Sequence, residues 1–107
     1  MDVIHLNKES YDRLVSQSEK CVLIDFWAEW CGPCKRLAPE LEKFAAAHGD
    51  IVVGKVDVSG ADSEMVNVAV SLGVDTIPAL FFYRDGKMVE KLLGYMTCAE
   101  IEAKLGL

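Results

Sequence analysis

The sequence predicts an α/β domain: one mixed sheet of five strands flanked by four helices, in the order βαβαβαββα. Three observations predict it. Residues 21–27 and 51–58 are almost continuously apolar, the pattern of strands buried on both faces. Each run is followed by apolar residues at helical spacing. The last third instead carries two strand-like runs, 79–83 and 87–93, joined by Arg84-Asp85-Gly86, and Asp-Gly is a strong tight-hairpin signal.

The elements follow in order. Residues 3–6 form a short apolar run, and Asn7 can cap a helix with Tyr11, Leu14 and Val15 on one face. The 21–27 strand comes next. Leu37, Leu41, Phe44 and Ala45 mark a helix ending near His48-Gly49. Within it, Pro39 deprives the Lys35 carbonyl of its helical partner and predicts a kink. After the second buried strand, Met65, Val68, Ala69 and Leu72 mark a helix closing before Gly73. Pro78 would interrupt a strand running from Ile77 to Tyr83, so it belongs at the strand start or a bulge. Thr97 and Glu100 form a capping box for a last helix with Ile101 and Leu105 inward. Crossover helices make the early strands parallel, the hairpin adds antiparallel ones, and helices cover both faces.

At 107 residues the chain is read as a single domain, 1–107, with enough apolar residues for a core. The net charge of −6 offers no basic stripe to neutralise phosphates, which argues against nucleic acid. Asp25 interrupts the most hydrophobic segment, so no run is long enough for a bilayer. The start, Met1 to Glu9, has neither a basic head nor a long apolar run, so a soluble, cytoplasmic chain without a leader is expected.

Of the four cysteines, Cys31 and Cys34 are close in sequence, placed where the central strand stops and a helix begins. Chemistry in open α/β sheets collects at the carboxyl ends of strands. Two intervening residues let the sulfurs meet across the first helical turn. A thiol at a helix N-terminus faces free N–H groups and the positive end of the dipole, which favours its thiolate. That suits Cys31 as nucleophile and Cys34, one turn further in, as the resolving thiol. Pro33 fits a first turn, where its missing N–H costs nothing. Half of a zinc site is the alternative, but Cys21, Cys98, His5 and His48 lack finger-like spacing.

Asp25-Phe26-Trp27-Ala28-Glu29-Trp30-Cys31-Gly32-Pro33-Cys34-Lys35 resembles the active-site segment of thioredoxins. The resemblance extends to Lys55, Ile77-Pro78, Asp85-Gly86 and Gly94, nearly end to end. It implies the thioredoxin fold and a monomeric dithiol reductant of protein disulfides. The chain holds no G-x-G-x-x-G dinucleotide loop. Electrons must then come from a partner, by resemblance a flavin-containing thioredoxin reductase using NADPH, and the chain itself needs no cofactor.

Asp25 is a lone carboxylate among Val22, Leu23, Ile24, Phe26 and Trp27. Burial should raise its pKa towards neutrality, where a general acid/base works best. By resemblance it serves Cys34, and Lys55, otherwise a lysine snorkelling from a strand end, approaches and tunes it. The resemblance further implies a cis Pro78 beside the disulfide, with Ile77 offering backbone groups to a substrate strand. Trp30, Gly32, Pro33 and Gly94 join that surface. Trp27 is expected to pack under the loop. His5 and His48 receive no role.

Two alternative readings compete with this one. An oxidase or isomerase on this fold tends to carry histidine between its cysteines, where Gly32-Pro33 stands. A pure binding module has no use for a buried carboxylate beside a dithiol. Two departures from similar proteins stand out: 59–69 is a few residues longer, and Asp75-Thr76 precedes Ile77-Pro78 where a basic or apolar residue followed by Gly or Ser is common. A carboxylate there should oppose the thiolate slightly and repel acidic partners. Cys98 opens the last helix, a thiolate-favouring place, yet its spacing with Ile101 and Leu105 points inward. Cys21 is expected to be inert.

Overall fold

The computed structural model describes residues 2–17 and 20–107, so the segment read for a leader is described from Asp2 onward. Nine elements follow one another: β1 (Ile4–His5), α1 (Lys8–Gln17), β2 (Cys21–Trp27), α2 (Gly32–Ala47), β3 (Ile51–Asp57), α3 (Ser63–Ser71), β4 (Ala79–Arg84), β5 (Lys87–Leu93) and α4 (Cys98–Leu105). They build one five-stranded sheet in the order β1-β3-β2-β4-β5. The first three of these strands run parallel, while β4 and β5 are antiparallel. This is the mixed sheet with four helices that the sequence predicts.

The pleat sorts the side chains. Val22, Ile24 and Phe26 point to one face, where Tyr11 of α1 and Met65, Val68 and Ala69 of α3 cover them. Leu23, Val53, Leu80 and Phe82 point to the other, under Leu37, Leu41 and Phe44 of α2 and Ile101 of α4. Full burial of each such side chain contributes about 1.5–3 kcal/mol. Odd-numbered residues of β2 thus look towards α2, and Asp25 is one of them.

Local chemistry sets the boundaries. The Asn7 carboxamide accepts the Ser10 N–H at 2.9 Å, and the Ser10 hydroxyl accepts the Asn7 N–H at 2.9 Å, a reciprocal cap on α1. Thr97 and Glu100 close the predicted capping box on α4. Asp62, unremarked in the sequence reading, caps α3 through the N–H groups of Glu64 and Met65. The hairpin turns on Asp85 and Gly86, both at positive φ (54° and 79°), the two-residue geometry that Asp-Gly favours. Gly54 has no Cβ because Leu6 lies over it: an added carbon would sit 2.5 Å from Leu6 Cδ1.

Two details differ from expectation. β1 is only two residues long, and β3 ends one residue early, at Asp57. The Val58 N–H turns instead to the Trp27 carbonyl at 2.8 Å, joining the ends of β2 and β3. α2 continues through Pro39 to a length of 16 residues, so the proline does not end the helix, and it is exposed to solvent. No described helix is long and apolar enough to cross a membrane.

Candidate active site

Cys31 occupies the N-cap of α2, with extended backbone (φ −95°, ψ 107°). The N–H of Cys34 donates to the Cys31 sulfur at 3.2 Å, so the sulfur takes the place a serine or aspartate oxygen usually fills. The two cysteines are joined as a disulfide, with Cα atoms 5.3 Å apart. Gly32 and Pro33 complete the first turn and are both exposed. Cys31 is 6% exposed and Cys34 only 1%, so an attacking disulfide or thiol meets Cys31 first. The Cys31 sulfur also lies 3.9 Å from the Ile77 carbonyl oxygen.

That contact brings the loop before β4 to the disulfide. The Ile77–Pro78 peptide bond is cis and Pro78 is buried. The N–H of Gly94, just past β5, donates to the Pro78 carbonyl at 2.8 Å. Gly94 has φ +87°, a conformation open to glycine and strained for other residues. Trp30 is 72% exposed, a large apolar side chain in solvent beside the sulfurs. Of the six residues expected to form a substrate surface, Trp30, Gly32 and Pro33 adjoin Cys31 in the chain, Ile77 reaches its sulfur, and Pro78 and Gly94 are linked to Ile77 through the cis bond and the Gly94 hydrogen bond.

Asp25 is completely buried, and neither carboxylate oxygen finds a hydrogen-bond partner among the described residues. Desolvation pushes its pKa up to about 7, and the Lys55 charge pulls the other way. Lys55 lies opposite Asp25 in the β2–β3 register. Its ammonium sits 4.3 Å from the centre of the Trp27 ring. Trp27 packs beneath Ala28, Cys31 and Cys34, as expected.

Cys21, Cys98 and His48 lie elsewhere, while His5 stands beside Lys55 in the β1–β3 register and meets the edge of the Trp27 ring. Cys21 starts β2, and half-buried Cys98 starts α4; both pack against the α2-side core. The Cys98 N–H donates to Glu40 Oε1 at 2.9 Å. Its thiol pKa is raised, by burial first and then by Glu102 and Glu40, so burial together with acidic neighbours overrides the thiolate-favouring helix start. His48 ties α2 to α4 through Glu102, at 2.6 Å.

One feature was not read from the sequence. A groove of about 240 Å³ opens beside Trp30 and Ile77, walled by Val66, Val70 and Val74, and among the described residues Asp75 is the one charged residue lining it. Val70 is 69% exposed. The available signal was the i, i+4 pair Val66 and Val70, apolar but off the Met65-Val68-Ala69 core face of α3.

Comparison with known proteins agrees with this geometry. The family model described as Thioredoxin matches residues 2–106. A thioredoxin of Alicyclobacillus acidocaldarius is 42% identical over 90 residues, covering 83% of this chain and 82% of its own. A thioredoxin of Mycoplasmoides gallisepticum is 37% identical over 99 residues, covering 92% and 94%. Among solved structures, a chain from work on thiol resolution in yeast mitochondrial 1-Cys peroxiredoxin via glutathione/thioredoxin systems superposes with a TM-score of 0.82. It is 29% identical, with 98% of this chain and 95% of that one covered.

Proposed function

Because this chain belongs to the thioredoxin family of protein-disulfide oxidoreductases, we propose that it works as a dithiol reductant, with Cys31 the nucleophile and Cys34 the resolving thiol. The observation that carries this reading is the Cys31 sulfur at the cap of α2, accepting the Cys34 N–H and more open to solvent than its partner. Hydrogen bonding and the helix dipole both favour a thiolate there.

In the first step the Cys31 thiolate attacks one sulfur of a substrate disulfide. That bond breaks, and the other substrate sulfur leaves as a thiolate and takes a proton. In the second, Cys34 loses its proton and attacks the Cys31 sulfur. The mixed disulfide breaks, and the second substrate sulfur leaves and is protonated. Two electrons and two protons pass to the substrate, and the Cys31–Cys34 disulfide remains.

Asp25 takes the Cys34 proton. A carboxylate with a pKa of about 7 is partly ionised at neutral pH, so it can accept the proton and give it back. Lys55 keeps that pKa from rising further. The substrate chain lies on Trp30, Gly32, Pro33, Ile77, Pro78 and Gly94, paired with the backbone of Ile77. A flavin-containing thioredoxin reductase using NADPH returns the electrons, so this chain requires no cofactor of its own. It acts as a monomeric single domain in the cytoplasm.

The test is NADPH oxidation in the presence of a thioredoxin reductase, this protein and insulin, with Cys31→Ser alongside. Turnover that vanishes in the variant supports the reading. A dithiol that dithiothreitol reduces but no reductase accepts would retain the chemistry and overturn the partner.

A further inference from the structure

Lys55 has a choice of surroundings. It is half-buried on β3, on the face that looks towards α2, with His5 beside it on β1 and Asp25 beside it on β2 in the same register row. A lysine in this position ordinarily extends its ammonium to water. Here the ammonium lies over the face of Trp27, 4.3 Å from the ring centre. Trp27 follows Asp25 by two residues, so both side chains leave the same face of β2. The ring that the cation covers therefore belongs to the same face of the sheet as the carboxylate.

The polar atom of Trp27 does not set its orientation. Its Nε1 is buried without a hydrogen-bond partner among the described residues, so no hydrogen bond from the indole fixes the ring. Packing beneath the disulfide loop and an edge contact with His5, 6.2 Å between ring centres, hold it in place. An aromatic ring with its only polar atom unpaired, and a cation over its face, fits a cation–π seat.

We propose that Trp27 is a positioning residue for the thiol–disulfide chemistry: its ring seats the Lys55 ammonium beside Asp25, and so sets how readily that carboxyl gives up its proton. The inference rests on the acid–base role given to Asp25 above. The charged and titratable groups on this face of the described structure include His5 from β1, Cys21 from β2, Lys55 and Asp57 from β3 and Cys98 from α4, while the Cys34 sulfur of α2 is held in the disulfide. From β4, Leu80 lies opposite Asp25 and adds no charge.

The experiment is an NMR titration of the Asp25 carboxyl in the oxidised protein, in Trp27→Leu, Trp27→Phe, Lys55→Met and the Trp27→Leu/Lys55→Met pair. Unseating the cation should raise the Asp25 pKa by about half a unit in Trp27→Leu, a roughly threefold lower ratio of ionised to protonated carboxyl at any given pH. Trp27→Phe, which keeps a ring, should restore most of the native value. In the Lys55→Met background Trp27→Leu should add nothing. A merely structural role, in which loss of the indole hydrates Asp25, would lower the pKa in both backgrounds and overturn the proposal; so would no change. If Trp27→Leu does not fold, the native protein decides: Lys55 Hε resonances shifted upfield by the indole support the seat, and unshifted ones refute it. The acid–base role of Asp25 is judged separately, by the rate of the resolving step in Asp25→Asn, on which the titration does not depend.

Discussion

Asp25 and Lys55 stand directly opposite each other in the β2–β3 ladder, yet neither Asp25 oxygen accepts a hydrogen bond from the lysine or any other described residue. The carboxyl is therefore governed by burial first and by its cationic neighbour second. Its stability and its chemistry follow from that ranking.

Stability should fall with rising pH because of Asp25. The folded carboxyl titrates at about 7 and the unfolded one near its ordinary 3.8, so between those values the folded state holds a proton that the unfolded chain lacks. Unfolding then becomes easier as pH rises, and the loss is complete above the folded pKa. The full difference corresponds to at most about 4 kcal/mol. Asp25→Asn should remove it, so urea unfolding of the oxidised proteins should show the variant gaining on the native chain from pH 5 to pH 8.5. Parallel pH profiles would contradict the assignment.

Reduced native protein treated with limiting iodoacetamide at pH 7 should be labelled at Cys31 first. Cys34 is almost fully buried, and the Cys98 thiol is held protonated by burial and acidic neighbours. Peptide mapping should find Cys98 modified at least about tenfold more slowly than Cys31. Comparable rates would mean that Cys98 is open to redox chemistry after all.

Reversing the charge at Asp75 should change which substrates react. Asp75→Lys is expected to lower kcat/KM about threefold for disulfide peptides with a basic flank and raise it as much for acidic ones. Because Asp75 is exposed, 0.5 M salt should erase most of the difference. Equal rates with both peptides at low salt would remove Asp75 from partner selection.

Gly54→Ala should cost about 1–3 kcal/mol in chemical denaturation, because the new methyl meets Leu6 Cγ at 2.9 Å as well as Cδ1 and the buried leucine must move. Pairing it with Leu6→Ala should make the two effects non-additive. Strict additivity would show that the clash is relieved elsewhere.

Most of this architecture could be read from local pattern. The 21–27 run, the Asp-Gly turn and the Thr97-Glu100 box each carry a short-range rule strong enough to act alone. Cys31 and Cys34 were legible for the same reason, being three residues apart at a strand-to-helix junction. What escaped depends on neighbours distant in sequence. Val70 reads as core by composition, and only the packing of α3 leaves it in the groove. Cys98 has the helix position of a reactive thiol, but Glu40, 58 residues away, meets its N–H and opposes its ionisation. Trp27 was read as packing, and its seat for Lys55 appears only when β2 and β3 are laid side by side.

The hydrogen bond from Gly94 to Pro78 closes the base of the β4–β5 hairpin. The two segments proposed to meet the substrate, before β4 and after β5, are thereby tied together by a backbone hydrogen bond. In that reading a partner that separates them must break this bond, so the two form one template. The hairpin's far end, at Asp85-Gly86, lies a whole strand length away from this template. Variation there can alter the outline of the molecule while leaving the docking template untouched.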